Sequence, residues 1–167
     1  MITSAVRGVV VTALTTTLAL FPTLAQAEQK DKDNDIERVE LFGVNRVATW
    51  PSHDGVVSDN WKSPLDLYTP HKNKKSGKKE LRYAGDGESE CAVVKIQGHE
   101  RTAQCTRVLR LKKGTLTLSD MVTYRPLKRV TAKTAIVGGT GHYRSAYGDG
   151  YITLDGHHVH LELNVDE

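Results

Sequence analysis

From about residue 36 onward, the apolar and polar positions of this chain show no sustained 3.6-residue period. Short runs with a period of two recur instead, separated by Gly, Pro, Asn and Asp. They predict strands over 36–49, 61–69, 80–83, 90–96, 102–111, 115–124, 129–137, 146–154 and 158–165, the third and fourth forming one long strand interrupted at "GDGE". Pro64 removes a ladder donor from the second strand and predicts an edge or a bulge there. About eight antiparallel strands at this spacing close most naturally into an all-β, eight-stranded antiparallel barrel, whose interior holds side chains or one small ligand.

Alternation then assigns faces. In 115–124, Leu116, Leu118, Val122 and Tyr124 share one side with Asp120. In 158–165, Val159, Leu161, Leu163 and Val165 take one side, and His158, His160, Glu162 and Asn164 take the other. With the apolar sides inward, Asp120 is a carboxylate in a mostly apolar lumen. An unpaired charge there is costly, so Asp120 must be ion-paired, hydrogen-bonded or raised in pKa. His158, His160 and Glu162 form a two-imidazole, one-carboxylate set of a kind that binds transition metals. Their side faces solvent, so no metal is expected. Trp50, Trp61, Tyr68 and Tyr83 supply aromatic area for packing or for a pocket wall.

The first 27 residues read as an export signal. Arg7 is followed by the apolar run 8–20 and by Ala25-Gln26-Ala27, the small-residue pattern of a signal peptidase site. The run is about 13 residues, short of the roughly 20 that cross a bilayer. No membrane insertion is expected after cleavage, and the protein is expected to be secreted or periplasmic. Residues 28–37 are almost wholly polar and read as a flexible leader, which leaves 38–167 for a single barrel domain. Of 23 basic side chains only Arg7 lies in the signal, so 22 face 20 acidic ones. That balance is not the footprint of a nucleic-acid binder. Cys91 and Cys105 flank "AVVKIQGHERTAQ", which reads as strand, Gly98 turn and strand. The hairpin sets the two thiols opposite each other, and a disulfide suits the oxidising compartment. The lysines at 72, 74, 75, 78 and 79 read as a solvated hairpin tip.

The stretch "AIVGGTGHYRSAYGDG" (135–150) superficially resembles a phosphate loop. No Lys-Ser/Thr follows, and the glycine spacing does not open a helix, so nucleotide binding is excluded. Gly138, Gly139 and Gly141 instead permit positive φ and close backbone approach between two strands. "AIVGGTGHYRSAYG" resembles the V-x-G-G-T-G-x-[FY]-x-x-A-R-G signature of the dirigent and allene oxide cyclase-like barrel superfamily. "SPLDLYTPHKNKKSGKKELRYAGDGESECAVVKI" and "GTLTLSDMVTY" resemble the segments that precede it in that superfamily, so the similarity runs from about Asp59 to Val165.

The resemblance implies an eight-stranded barrel with a mainly apolar lumen, a dimeric or trimeric assembly and no cofactor. It also implies an apolar, reactive small molecule of polyketide, lipid or phenolic type, whose cyclisation or isomerisation the barrel templates by holding a reactive conformer. His142 and Tyr147 stand where quinone-methide-steering members place Asp and Arg; both can carry protons. Asp120 replaces a glycine that is common in the family, and Asp66 matches an acidic position that lines the pocket mouth or caps a turn. The expected catalytic candidates are Asp120, His142, Tyr147 and Asp66, with Tyr124, Tyr68 and Trp61 against substrate. A non-catalytic ligand-binding or scaffold barrel is the alternative. An open lumen with convergent polar groups separates the two.

Overall fold

The computed structural model describes residues 36–46, 56–74 and 76–166. The export signal, the leader up to residue 35, Trp50 and Lys75 lie outside these described residues. Eight strands follow in order: β1 (Glu37–Asn45), β2 (Asn60–Lys72), β3 (Lys79–Gln97), β4 (Glu100–Leu111), β5 (Gly114–Tyr124), β6 (Val130–Gly139), β7 (Tyr147–Asp155) and β8 (His158–Asp166). Each pairs antiparallel with the next, and β8 returns to β1, closing the barrel. Alternation places Leu41, Leu67, Leu109, Leu116, Leu118 and Leu161 fully inside. Because these leucines come from five different strands, the lumen is filled with aliphatic side chains rather than hollow.

The "GDGE" interruption does not break β3, which runs for 19 residues. Gly85 explains why: its φ is +153°, and a Cβ there would lie 1.9 Å from the Arg110 carbonyl oxygen. Only glycine lets β3 bend so close to β4. A register shift between Leu67 and Tyr68 adds to the bend. Pro64 behaves as an edge residue within a closed sheet, because the last β1–β2 pair is Asn45 with Leu65.

Two gaps in the pairing shape the molecule. β1 pairs with β2 only from Phe42 to Asn45, and β3 pairs with β4 only from Gly85 onward. Beyond those limits β2 and β3 pair only with each other, as a two-stranded arm (69–84) that leaves the barrel rim. The arm lies at the same end as the start of β1, the β4–β5 turn and a single 3-10 turn, Gly141–Tyr143, between β6 and β7. The opposite end holds the β3–β4 turn at Gly98 and, inside it, the cross-strand pair Cys91 and Cys105, joined as a disulfide.

Candidate functional site

At the disulfide end, strand alternation turns Arg107 of β4 and Asp120 of β5 inward, with side chains only 4 % and 0 % exposed. Arg107 Nε and Nη2 donate to the two Asp120 carboxylate oxygens at 2.8 and 3.0 Å, and Nη1 donates to Ser89 Oγ at 2.7 Å. The Thr134 hydroxyl stands 3.5 Å from the same carboxylate. Asp120 is therefore paired, the first of the three outcomes its position allowed. The bidentate fork engages both carboxylate oxygens and leaves no carboxylate reaching into open space. Trp61 lies beside Arg107, Ser63 and Ser89 on a remaining void of about 40 Å³. That volume admits a water molecule, but small-molecule pockets run to roughly 300–1,000 Å³. Tyr124 is buried at the same end, and loss of hydration raises its phenol pKa to about 12 against a smaller opposing effect of Arg101.

The glycine-corner end differs. Gly138 and Gly141 have φ of +147° and +66°, and a Cβ on Gly139 would meet the Thr115 and Tyr143 carbonyl oxygens at 2.2 and 2.5 Å. This tight corner drives the Tyr143 ring into the barrel, where it is 3 % exposed. It also sets His142 on the rim, with its backbone N–H donating to the Lys113 carbonyl at 3.0 Å. Lys113 Nζ donates to Glu37 Oε1 at 2.8 Å, and His142 Nε2 stands 3.1 Å from Glu37 Oε2. The Lys113 hydrogen bond, then that of His142, holds the Glu37 carboxyl below its ordinary pKa against the opposing effect of burial. Glu37 is thus a stable anion between a cation and an imidazole.

Two members of this cluster, Glu37 and Lys113, line a cleft of about 470 Å³, and His142 joins them through its contact with Glu37. One wall is the run of five residues from Glu37 to Leu41, the part of β1 that β2 does not cover. The base of the arm forms the other, through Thr69, Pro70, Tyr83 and Ala84, while Leu111 and Tyr143 supply an apolar floor. The cleft exists because two ladders stop early, and its volume lies within the range of small-molecule sites.

The expected site residues therefore divide among three places. Asp120, Tyr124 and Trp61 are together in the lumen at the disulfide end, and His142 is on the opposite rim, bonded to Glu37 of the cleft. Asp66, Tyr68 and Tyr147 face outward, because each alternates with a buried lumen neighbour or flanks one. Asp66 is clamped by Arg46 on the outer face, which lowers its pKa. Tyr68 packs edge-on against Tyr83 at 5.8 Å. The Tyr147 phenol bonds to Asp166, which raises its pKa. His160 is engaged by Glu40 at 3.1 Å and stacks on Phe42 at 4.5 Å. Among the described residues, no group of three or more His, Cys, Asp or Glu side chains is placed to hold a metal ion.

Sequence reasoning missed Glu37, Lys113 and Arg107. Glu37 sits in a charged run that reads as leader, and Lys113 in a turn. Arg107 could have been found, since it alternates with Cys105 and Leu109 and so had to enter the lumen beside Asp120.

No protein-family model matches the chain, and no curated sequence matches it. Solved structures do. A pyocyanin demethylase superposes with a TM-score of 0.55 at 19 % identity, over 77 % of this chain and 99 % of its own. Two pterocarpan synthase dirigent proteins are 16 % identical, with TM-scores of 0.47 and 0.44; each covers 79 % of this chain, and 95 % and 89 % of its own is matched. At these identities the likeness is one of fold alone, and the chain shares the closed eight-stranded antiparallel barrel with the pyocyanin demethylase.

Proposed function

We propose that the protein binds an apolar, reactive small molecule in the cleft at the glycine-corner end and templates its cyclisation or isomerisation. The observation that carries this reading is the juxtaposition of Glu37 and Lys113 with an apolar floor in a void of about 470 Å³, with His142 held against Glu37. Val39, Leu41, Leu111 and Tyr143 would hold the substrate in a folded, reactive conformer and exclude water from one face. His142 would move a proton, with Glu37 fixing its orientation. The Lys113 ammonium would stabilise negative charge that develops on a substrate oxygen. General acid–base help of this kind contributes about 10²–10⁴-fold. Asp120, Tyr124 and Trp61 act in this reading as the buried framework of the opposite end. The disulfide supports an oxidising, secreted or periplasmic setting.

The test is a panel of epoxide-bearing lipids, linear polyketides and phenolic quinone methides, scored for rate and stereochemistry of ring closure. His142→Asn should lower the rate by about 10²-fold or more while the substrate still binds. No change in rate or stereochemistry across the panel would sink the enzymatic reading. A second reading, a non-catalytic ligand-binding or scaffold barrel, is favoured by the packed lumen. It requires that Glu37→Gln and His142→Asn leave ligand affinity and biological activity intact.

A further inference from the structure

The charge of this protein is nearly balanced along the sequence but not over the surface. The arm exposes Lys72, Lys74, Lys78, Lys79 and Arg82; the β4–β5 turn adds Lys112, and the glycine corner adds Arg144. None of these seven is ion-paired with a carboxylate among the described residues. The nearby acids are engaged otherwise: Glu80 accepts from Asn73, Glu37 is held by Lys113 and His142, Glu40 meets His160, and Asp166 accepts from Tyr147. The same arm leaves two large apolar side chains in solvent, Leu81 at 56 % and Tyr83 at 62 % exposure. Their register partners, Pro70 and Tyr68, lie on the same face of the arm.

Lysine and proline blunt unpaired sheet edges, and the arm has two such edges, so some of its lysines serve that purpose. Edge protection does not call for Lys112 and Arg144, which reach the same end from two other connections. Nor does it call for an exposed Leu and Tyr beside the lysines. Clustered cations around amphipathic or apolar side chains are the composition that engages an anionic bilayer. The ammonium groups meet headgroups, while Leu and Tyr enter the boundary between headgroups and acyl chains.

We propose that the glycine-corner end of the barrel, centred on the arm 69–84, docks on a bilayer surface that carries anionic headgroups. The docking proposed is peripheral, with the arm at the headgroup level; no helix among the described residues is long and apolar enough to cross a membrane. The base of the arm is also a wall of the cleft, through Thr69, Pro70, Tyr83 and Ala84. A docked barrel therefore opens its cleft at the surface where apolar molecules concentrate.

The test is co-sedimentation of the exported protein with phosphatidylcholine vesicles, and with the same vesicles doped with phosphatidylglycerol. Binding is expected only to the doped vesicles and should weaken as salt is raised. Each of Lys72→Gln, Lys74→Gln, Lys78→Gln and Lys79→Gln should weaken it roughly fivefold without changing the melting temperature. Leu81→Ser with Tyr83→Ser should weaken it further at fixed charge. Failure to bind either vesicle overturns the proposal. So does unchanged binding in the Leu81/Tyr83 variant together with equal affinity for dextran sulfate, which would mark a site for soluble polyanions. Vesicle partition involves no turnover, so its failure leaves the proposed reaction standing, and the converse holds.

Discussion

The two ends of the barrel use similar chemistry to opposite effect. At the disulfide end, an arginine, a carboxylate and hydroxyls are sealed inside, and the chain is stapled across two strands. At the glycine-corner end, a lysine, a carboxylate and an imidazole sit on a rim, beside a gap where β1 leaves β2. Both clusters are hydrogen-bonded, yet only the second borders a space larger than a water molecule. The difference suggests a division of labour. A closed barrel can hold its opening at one end because the other is locked by bonds that do not have to move. That division predicts where substitutions act on stability and where they act on binding.

The largest effect should come from Arg107→Ala. It leaves Asp120 buried without its partner and should destabilise by about 3–5 kcal/mol, measured by denaturant unfolding. The pair replacement Arg107→Met with Asp120→Leu should be close to neutral, because both charges then escape desolvation. If the single variant proved harmless, the sealed end would have to be wetter than its side chains indicate. Next is Cys91→Ala with Cys105→Ala. Opening a hairpin loop of about 15 residues should remove about 3 kcal/mol in the chain-entropy view. Binding in the cleft of the surviving folded molecules should not change, since the disulfide lies at the opposite end.

How much of this contrast was legible follows from the residues. Alternation placed Asp120, Leu116, Leu118 and Tyr124 inside and His158, His160 and Glu162 outside, because a two-residue period is a local property of the chain. The Cys91–Cys105 pairing was legible for a similar reason, as one hairpin with a glycine turn fixes its own register. The glycine corner was readable as a corner, and Gly139 shows why: carbonyl oxygens at 2.2 and 2.5 Å exclude any side chain. The Glu37–His142 contact was not legible. It joins residues 105 apart in sequence, and only barrel closure brings them together. Nor does any pattern of residue types encode that β1 stops pairing with β2 at Phe42, which is what makes the cleft. Asp66, Tyr68 and Tyr147 were read as candidates for their chemistry without a face assigned, and strand parity sends all three outward.

A smaller effect is expected at alkaline pH. The Tyr124 phenol is raised from 10 to about 12 by burial, so the unfolded chain ionises first as pH climbs. The stability that Tyr124 contributes is complete below about pH 10 and declines as pH rises towards 12. Ultraviolet titration should find one of the six tyrosines ionising last, and Tyr124→Phe should flatten the alkaline loss of stability. An early, complete titration of all six would mean that the sealed end admits water.

The smallest stability effect should be at Glu37, and it tests the comparison from the other side. The folded-state pKa of Glu37 is lowered, chiefly by the Lys113 hydrogen bond, relative to an ordinary glutamate value of about 4.3. Its contribution is therefore present above about pH 4 and lost as pH falls through the lower folded value. With the side chain 34 % exposed, solvent screens the pair, so Glu37→Gln at neutral pH should shift unfolding by no more than about 0.5 kcal/mol. Melting curves of the two proteins should begin to converge below about pH 4 and meet only once pH falls below the lowered folded value, where the native carboxyl is also neutral. Ligand binding or turnover in the cleft should instead fall sharply in Glu37→Gln across the neutral range. If Glu37→Gln destabilised the fold as much as Arg107→Ala, the rim cluster would be a second structural lock. The open end would then need another reason to stay open, because the residues around its cleft would be holding the barrel shut.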